Sequence, residues 1–167
     1  TANPTYIELD KKVFLEIRKI LCDDSGSMKL VRYHDYAGSF RTNAHTDLHA
    51  FIYRCKSPDF EFMDIDLEAL RARLAEEIEE FLALLGEHAF TLPGRVDISM
   101  LRPPPEKDME FRFALSQKAN DEEHYQDLVR EATQLRWRIA EEANNLSTRI
   151  WNTYAELIRL GRRKLAV

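Results

Sequence analysis

The chain has 167 residues, of which 44% are hydrophobic and 32% are charged, and its formal net charge is −5 at pH 7. This composition fits one domain, or a small domain with a helical arm, and excludes a wholly disordered chain. The acidic balance argues against a protein that coats nucleic acid through charge alone. No apolar run approaches the roughly 18 residues of a membrane span, so no membrane association is expected.

The two cysteines indicate the redox state of the cellular compartment in which the protein is expected. Cys22 and Cys55 are isolated from each other and show no CxxC spacing. This pattern favours two free thiols in a reducing environment over a disulfide. A cytoplasmic protein is therefore expected.

The first part of the chain predicts one helix followed by a meander of three strands. Apolar residues recur at helical spacing from Leu9 to Leu21, and turn-forming residues follow. Residues 28–36 and 48–56 are rich in types that favour strands, and a third short strand begins at Phe60. An antiparallel meander is the expected result.

The middle of the chain predicts a second helix and two further strands. Asp66 is a candidate N-cap for a helix over 67–85, and Gly86 is a candidate stop. Residues 96–101 and 109–115 alternate between apolar and polar types, as half-buried strands do. The order α-β-β-β-α-β-β-α indicates an α+β fold with a small, mostly antiparallel sheet, helices on one face and a long C-terminal helix.

The strongest signal in the sequence is that last helix, predicted over 121–160 with Gly161 as its stop. At helical rise it would be about 60 Å long, which is longer than a compact body of this size requires. Asn and Ser favour caps over helix interiors, so Asn144–Ser147 is an alternative break that would give a helical hairpin. Two parts are predicted: an α+β body over 1–118, and over 119–167 a helix or hairpin that packs on the body and on a partner.

The long helix carries two apolar stripes, which implies two packing partners. One stripe has the a/d spacing of a coiled coil and runs through Tyr125, Leu128, Ala132, Leu135 and Ile139. The second lies on a neighbouring face and includes both tryptophans of the helix. The residues predicted to contact a partner are Val129, Trp137, Trp151, Tyr154 and Ile158.

One alternative function depends on a histidine-rich cluster. If residues 45–49 lie on a strand, His45, Asp47 and His49 face the same side, and His34 on the preceding strand can add a fourth ligand. Imidazole and carboxylate suit a divalent metal such as Zn²⁺ or Mn²⁺, which could activate water in a phosphodiesterase or nuclease. The competing interpretation is that these are ordinary polar residues at a strand edge.

A second alternative uses the same region as a nucleic-acid-binding module. Several aromatic side chains accompany four cations on the predicted sheet: Arg32, Arg41, Arg54 and Lys56. Single-stranded nucleic acid binds such surfaces through base stacking and phosphate contacts. The competing interpretation places the aromatics in the core and the cations on an ordinary surface.

The sequence shows no motif for a catalytic nucleophile or for phosphate binding. The main prediction therefore depends on the long helix. The sequence favours a non-enzymatic intracellular interaction or assembly protein without a cofactor. It would self-associate as a homo-oligomer, or dock on another subunit of a complex, through the C-terminal helix.

Overall fold

The computed structural model describes residues 4–103, 105–118 and 121–167 and has the α+β fold that the sequence predicts, with a small antiparallel sheet and a long C-terminal helix. The helices of this part of the chain are α1 Pro4–Ile20, α2 Gly26–Tyr33, α3 Thr46–Cys55, α4 Ile65–His88, α5 Pro105–Ser116 and α6 Glu122–Leu165, with a 3₁₀ turn at Pro58–Phe60. The strands are β1 Phe40–Arg41, β2 Ala89–Leu92 and β3 Arg95–Leu101.

The sheet has the order β1-β3-β2 and both pairings are antiparallel. Ser99 of the central strand lies opposite Phe40 on one side and Thr91 on the other. The two residues between β2 and β3 include Gly94, whose φ of +73° suits the tight turn of a hairpin. The strand predicted at 96–101 is confirmed as β3, whereas β2 had no predicted counterpart.

The chain forms two compact units. The first unit comprises residues 1–34, 43–83 and 145–167, and the second comprises residues 35–42 and 84–144. Both α4 and α6 contribute residues to each unit. The first unit is built from helices, and the second contains the sheet and α5. The predicted division into 1–118 and 119–167 stays a prediction.

The strand predicted at 28–36 is wrong, because this segment begins as helix α2. An eight-residue helix is marginal by itself, and a distant residue supports its start. The Asp47 carboxylate accepts a hydrogen bond from the backbone N–H of Ser27 at 2.9 Å, and Ser27 Oγ accepts one from the Asp47 N–H at 3.1 Å. Gly26 has a φ of +61°, and a Cβ there would lie 2.1 Å from Asp47 Oδ2.

The strand predicted at 48–56 is also wrong, since the segment is helix α3. Its apolar run fits a strand period and a helical period equally well. In the structure, Leu48 and Phe51 are buried, while Ile52 and Cys55 are partly buried, which is helical spacing. The third predicted strand begins as the 3₁₀ turn that buries Phe60. The predicted meander is therefore absent from residues 28–62, all of which the structure describes.

The predicted strand at 109–115 is wrong as well, because these residues form α5. Pro105 stands at the first position of this helix, where proline suits a helix start. Ala114 is buried, whereas the larger neighbours Phe113 and Leu115 are exposed. The alternation in the sequence therefore does not mark a buried sheet face.

The two long helices extend past their predicted ends. Asp64, rather than Asp66, caps α4, since its carboxylate accepts the N–H groups of Asp66 and Leu67 at 3.0 and 3.1 Å. Gly86 lies inside α4, and Gly161 lies inside α6. At Gly161 a Cβ would lie 2.1 Å from the Phe14 ring, so close packing explains the glycine.

Helix α6 does not break at Asn144–Ser147 and is continuous over its 44 residues. The Asn144 side chain instead serves a contact within the second unit. Its Oδ1 accepts a hydrogen bond from the backbone N–H of Tyr36 at 2.9 Å, and its Nδ2 donates to Asp35 at 2.9 Å. The asparagine is therefore a bonding residue rather than a helix break.

Candidate functional site

Burial changes abruptly along helix α6. From Ile139 to Leu165 buried residues recur at every turn, and they include Leu146, Ile150 and Leu157. No residue between Glu122 and Arg138, all of which the structure describes, is buried. We call residues 122–138 the uncovered segment and residues 139–165 the covered segment.

The uncovered segment continues the apolar stripe of the covered segment. Leu135, Ala132 and Leu128 precede Ile139 at spacings of four, three and four residues, which keeps them on one helix face. Each of them is only partly buried, as is Tyr125 one step further. The stripe therefore extends beyond the region in which the chain buries it.

Trp137 is the most exposed large hydrophobic residue of α6, with 62% of its surface accessible. It lines a small pocket of about 110 Å³ with Ala37, Thr133, Arg136 and Ala140. The Arg136 guanidinium donates to the backbone carbonyl of Ala37 at 3.2 Å, which fixes one wall of the pocket. An exposed indole of this kind is enriched at protein interfaces.

Helix α5 adds further exposed apolar surface in the second unit. Met109 is 72% accessible, Phe113 69% and Leu115 50%. Sequence reasoning missed these residues because it assigned them to a half-buried strand. The signal that would have corrected it is Pro105 followed by charged residues, which is typical of a helix start.

The predicted interface residues of the covered segment have different surroundings. Tyr154 is 1% accessible, and its hydroxyl donates to the Leu21 carbonyl at 2.5 Å, so it belongs to the core of the first unit. Burial raises the pKa of this phenol, and the nearby Asp23 raises it further. Trp151 and Ile158 are partly buried. Of the predicted set, Trp137 and Val129 lie in the uncovered segment.

The predicted metal ligands lie in helix α3 or at the ends of helices α2 and α3 rather than on strands, so the geometric reason for grouping them is wrong. Asp47 caps α2 and His45 is the residue before α3. At helical spacing, Asp47 does not share a face with His45 and His49. No group of three or more His, Cys, Asp or Glu side chains within the described residues is arranged to hold a metal ion.

The three histidines of that set nevertheless influence one another. His45 is buried, and its ring meets Phe81 edge-on at 5.5 Å between centroids. Burial foremost, together with charge repulsion from the nearby His34 and His49, lowers the pKa of His45 to about 4. His45 is therefore neutral at pH 7 and suits a packed core rather than proton transfer near neutrality.

The predicted nucleic-acid ligands are not equivalent in the structure. The Arg54 guanidinium donates to Glu16 at 2.6 Å and to Asp59 at 2.9 Å, and these hydrogen bonds, foremost the one that Asp59 accepts, raise the pKa of Arg54. Arg54 is thus engaged in ion pairs. Lys56 and Arg41 are exposed.

Arg32 is engaged in a different way. Its guanidinium lies over the Trp151 ring at 4.3 Å and over the Tyr33 ring at 4.8 Å from the centroids. These are favourable cation–π distances. The result is a stack of one cation and two aromatic rings in the first unit, in which Arg32 and Tyr33 are exposed and Trp151 is partly buried.

Comparison of the chain with protein-family models, with curated proteins and with solved structures finds no match. Among the helices that the structure describes, none has the length and apolar character needed to cross a membrane.

Proposed function

We propose that this protein works by association, and that a second copy of the chain binds to the uncovered segment of α6. The observation that supports this proposal is the continuation of the apolar stripe into residues 122–138, where no side chain is buried. Burial of apolar surface contributes about 25 cal/mol per Å², so an incompletely covered stripe gains free energy when a partner covers it. Trp137 and the exposed apolar residues of α5 enlarge the available surface.

A second copy is the partner that the spacing favours. Tyr125, Leu128, Ala132 and Leu135 follow the three-and-four spacing by which two identical helices pack side chains into each other's gaps. An identical stripe is complementary to itself about a two-fold axis. Homo-association therefore requires no other surface than the one that α6 already presents.

Light scattering or sedimentation at several protein concentrations tests the proposal. The expected result is a mass that rises toward twice that of one chain as concentration increases. A mass that stays at one chain throughout the accessible concentration range would contradict self-association. Retention of a different protein by the same segment would replace the second copy with another subunit.

A matched pair of double variants assigns the interface. Leu128→Ser with Leu135→Ser removes two partly buried leucines from the uncovered segment and should weaken association at least tenfold, or about 1.4 kcal/mol. Leu9→Ser with Leu15→Ser makes the same chemical change at two exposed leucines of α1 and should leave association unchanged. Equal effects of the two pairs would place the interface elsewhere.

A second candidate is binding of single-stranded nucleic acid at the Arg32 stack. Stacked guanidinium and aromatic groups bind bases, and Lys29, one turn earlier on α2, is exposed and could contact a phosphate. Binding of a short fluorescent oligonucleotide should weaken with added salt and should be lost in Arg32→Gln. No binding at low salt would remove this candidate.

A further inference from the structure

The first unit contains a groove that is separate from the uncovered segment of α6. It lies among the first turns of α1, the segment that leads into α4, and the last turn of α6, and its volume is about 650 Å³. This volume falls within the range of small-molecule sites. Its lining residues are Tyr6, Ile7, Asp10, Met63, Asp64, Ile65, Asp66, Lys164 and Leu165.

One wall of the groove is fixed by a buried carboxylate. Asp10 is 3% accessible and accepts the backbone N–H groups of Met63 at 2.6 Å and Asp64 at 3.0 Å. A carboxylate that accepts hydrogen bonds from two consecutive backbone N–H groups holds that part of the backbone in one conformation. The groove is therefore formed in advance of any ligand.

The groove already holds one primary ammonium group, which belongs to the chain itself. Lys164 Nζ lies 2.9 and 2.8 Å from the two Asp64 oxygens and 2.6 Å from Asp66 Oδ2. Three acceptor atoms match the three N–H donors of an ammonium group. This contact shows that the two carboxylates have the spacing needed to bind a primary amine.

The charge of the lining favours a further cation. Asp10, Asp64 and Asp66 supply three carboxylates, and Lys164 is the single cation among the lining residues, which leaves a net charge of −2. All three donors of Lys164 are taken up by these contacts, so the groove offers no free cation to an anionic ligand.

The rim of the groove is apolar to an unusual degree. Ile65 is 83% accessible, Met63 51% and Tyr6 46%, and all three line the same groove. Exposed apolar side chains gathered around a polar centre are typical of a ligand site. The combination suits a molecule with a cationic head and an apolar body.

We propose that this groove binds primary amines that carry an aliphatic or aromatic body, with Lys164 as the internal ammonium that such a ligand displaces. The ammonium of the ligand contacts Asp64 and Asp66, and its body lies against Tyr6, Met63 and Ile65. A free amine and a lysine side chain of a peptide share this chemistry.

An NMR titration with three ligands of one chain length tests the charge requirement. Hexylammonium should produce saturable shifts at Met63 and Ile65, whereas hexanol should bind more weakly and hexanoate should not bind. The shifts should shrink with added salt, because exposed ion pairs are screened. Equal binding of all three ligands, or no saturable shift with hexylammonium, would overturn the proposal.

Three exposed positions allow the contacts to be separated. Lys164→Met removes the internal competitor, which pairs with both Asp64 and Asp66, and should raise the affinity for hexylammonium at least about threefold, since each exposed ion pair contributes up to about 1 kcal/mol. Asp66→Asn should lower that affinity by a similar factor and leave hexanol unaffected. Ile65→Ser should weaken both ligands.

The matched control is Asp97→Asn, because Asp97 is another exposed aspartate in an ion pair, with Arg95 at 3.4 Å, and lies outside the groove. This variant should change neither the affinity for hexylammonium nor the affinity for hexanol. An unchanged affinity in Lys164→Met would overturn the role of Lys164 as a competitor. Titration with acetyl-Leu-Lys-Leu-amide identifies the source of the amine, since tighter binding than hexylammonium would indicate a peptide ligand.

Discussion

The covered and uncovered segments of α6 share one helix and one apolar periodicity, yet their surroundings differ. From Ile139 onward the stripe is buried at every turn, while Leu135, Leu128 and Tyr125 on the same face are only partly buried. Periodicity thus identifies the face of a helix that needs cover but not the group that supplies the cover. In this protein one part of the stripe is buried in the fold, and the other part is the surface that we propose for association.

The largest test of this comparison replaces one leucine in each segment. Leu157→Ala in the covered segment should cost about 2–5 kcal/mol of unfolding free energy, because Leu157 is fully buried and the change leaves a cavity. Leu135→Ala in the uncovered segment should cost about 1 kcal/mol or less, measured by urea unfolding at a concentration where the chain is monomeric. Equal costs would show that the two segments are covered alike.

Acid should weaken the unit that contains most of the covered segment. The pKa of His45 is about 4 in the folded protein and near 6.5 when unfolded, so the unfolded state binds the proton more tightly. The stabilising contribution is complete above pH 6.5 and is lost as pH falls toward 4, for a total of about 3 kcal/mol.

Unfolding free energies at a series of pH values check this expectation. His45→Gln should flatten the slope between pH 6.5 and 4, whereas His49→Gln, at an exposed position, should retain most of it. A slope that survives in His45→Gln would assign the acid sensitivity to another group.

Two glycines in long helices give a sharper test of close packing in the covered segment. Gly161→Ala should destabilise by about 2 kcal/mol, because the new methyl would overlap the Phe14 ring and this cost exceeds the gain in helix propensity. A Cβ at Gly86 would have no atom within 4 Å beyond its chain neighbours and the nearby backbone of its own helix, so Gly86→Ala should stabilise by up to about 1 kcal/mol. Thermal melts measure whether each variant is stabilised or destabilised. Stabilisation by both changes would mean that the Phe14 ring moves aside at little cost in free energy.

The smallest expected effect concerns Asn144, which lies within the covered segment. Asn144→Ala removes the acceptor of the Tyr36 N–H and should cost about 1 kcal/mol, since the better helix propensity of alanine offsets part of the loss. Asn145→Ala, at the exposed neighbouring position, should be neutral or slightly stabilising. Chemical denaturation of the pair measures the difference, and identical results would mean that the Asn144 bonds contribute nothing.

The sequence predicted the elements whose apolar spacing fits one period only. Helices α1, α4 and α6 and strand β3 are in this class, and so is the α+β fold. Helices α2 and α3 were predicted as strands, because their short apolar runs fit the period of a strand as well as that of a helix. The contacts that stabilise α2 come from residues distant in the sequence. The Asp47 carboxylate that stabilises α2 lies 20 residues beyond its partner, so local spacing does not reveal it.

The candidate sites show the same limit. Exposed Trp137 was predicted as a contact residue from its place on a stripe, whereas exposed Met109 and Phe113 were hidden by an accidental alternation. The groove lined by Asp64, Asp66 and Lys164 was not predicted at all, since Lys164 and Asp64 are 100 residues apart in the sequence. Juxtapositions of this kind depend on tertiary packing, which residue spacing does not encode.

The continuity of α6 through Asn144 predicts two classes of hydrogen exchange for its backbone amides. Amides of the covered segment exchange only when the buried core opens, so their protection reports the larger opening free energy. Amides of the uncovered segment exchange through fraying from Glu122, which costs little because the side chains there lose few buried contacts. We therefore expect a step in protection near Ile139 within one uninterrupted helix, and association with a second copy would move that step toward Glu122.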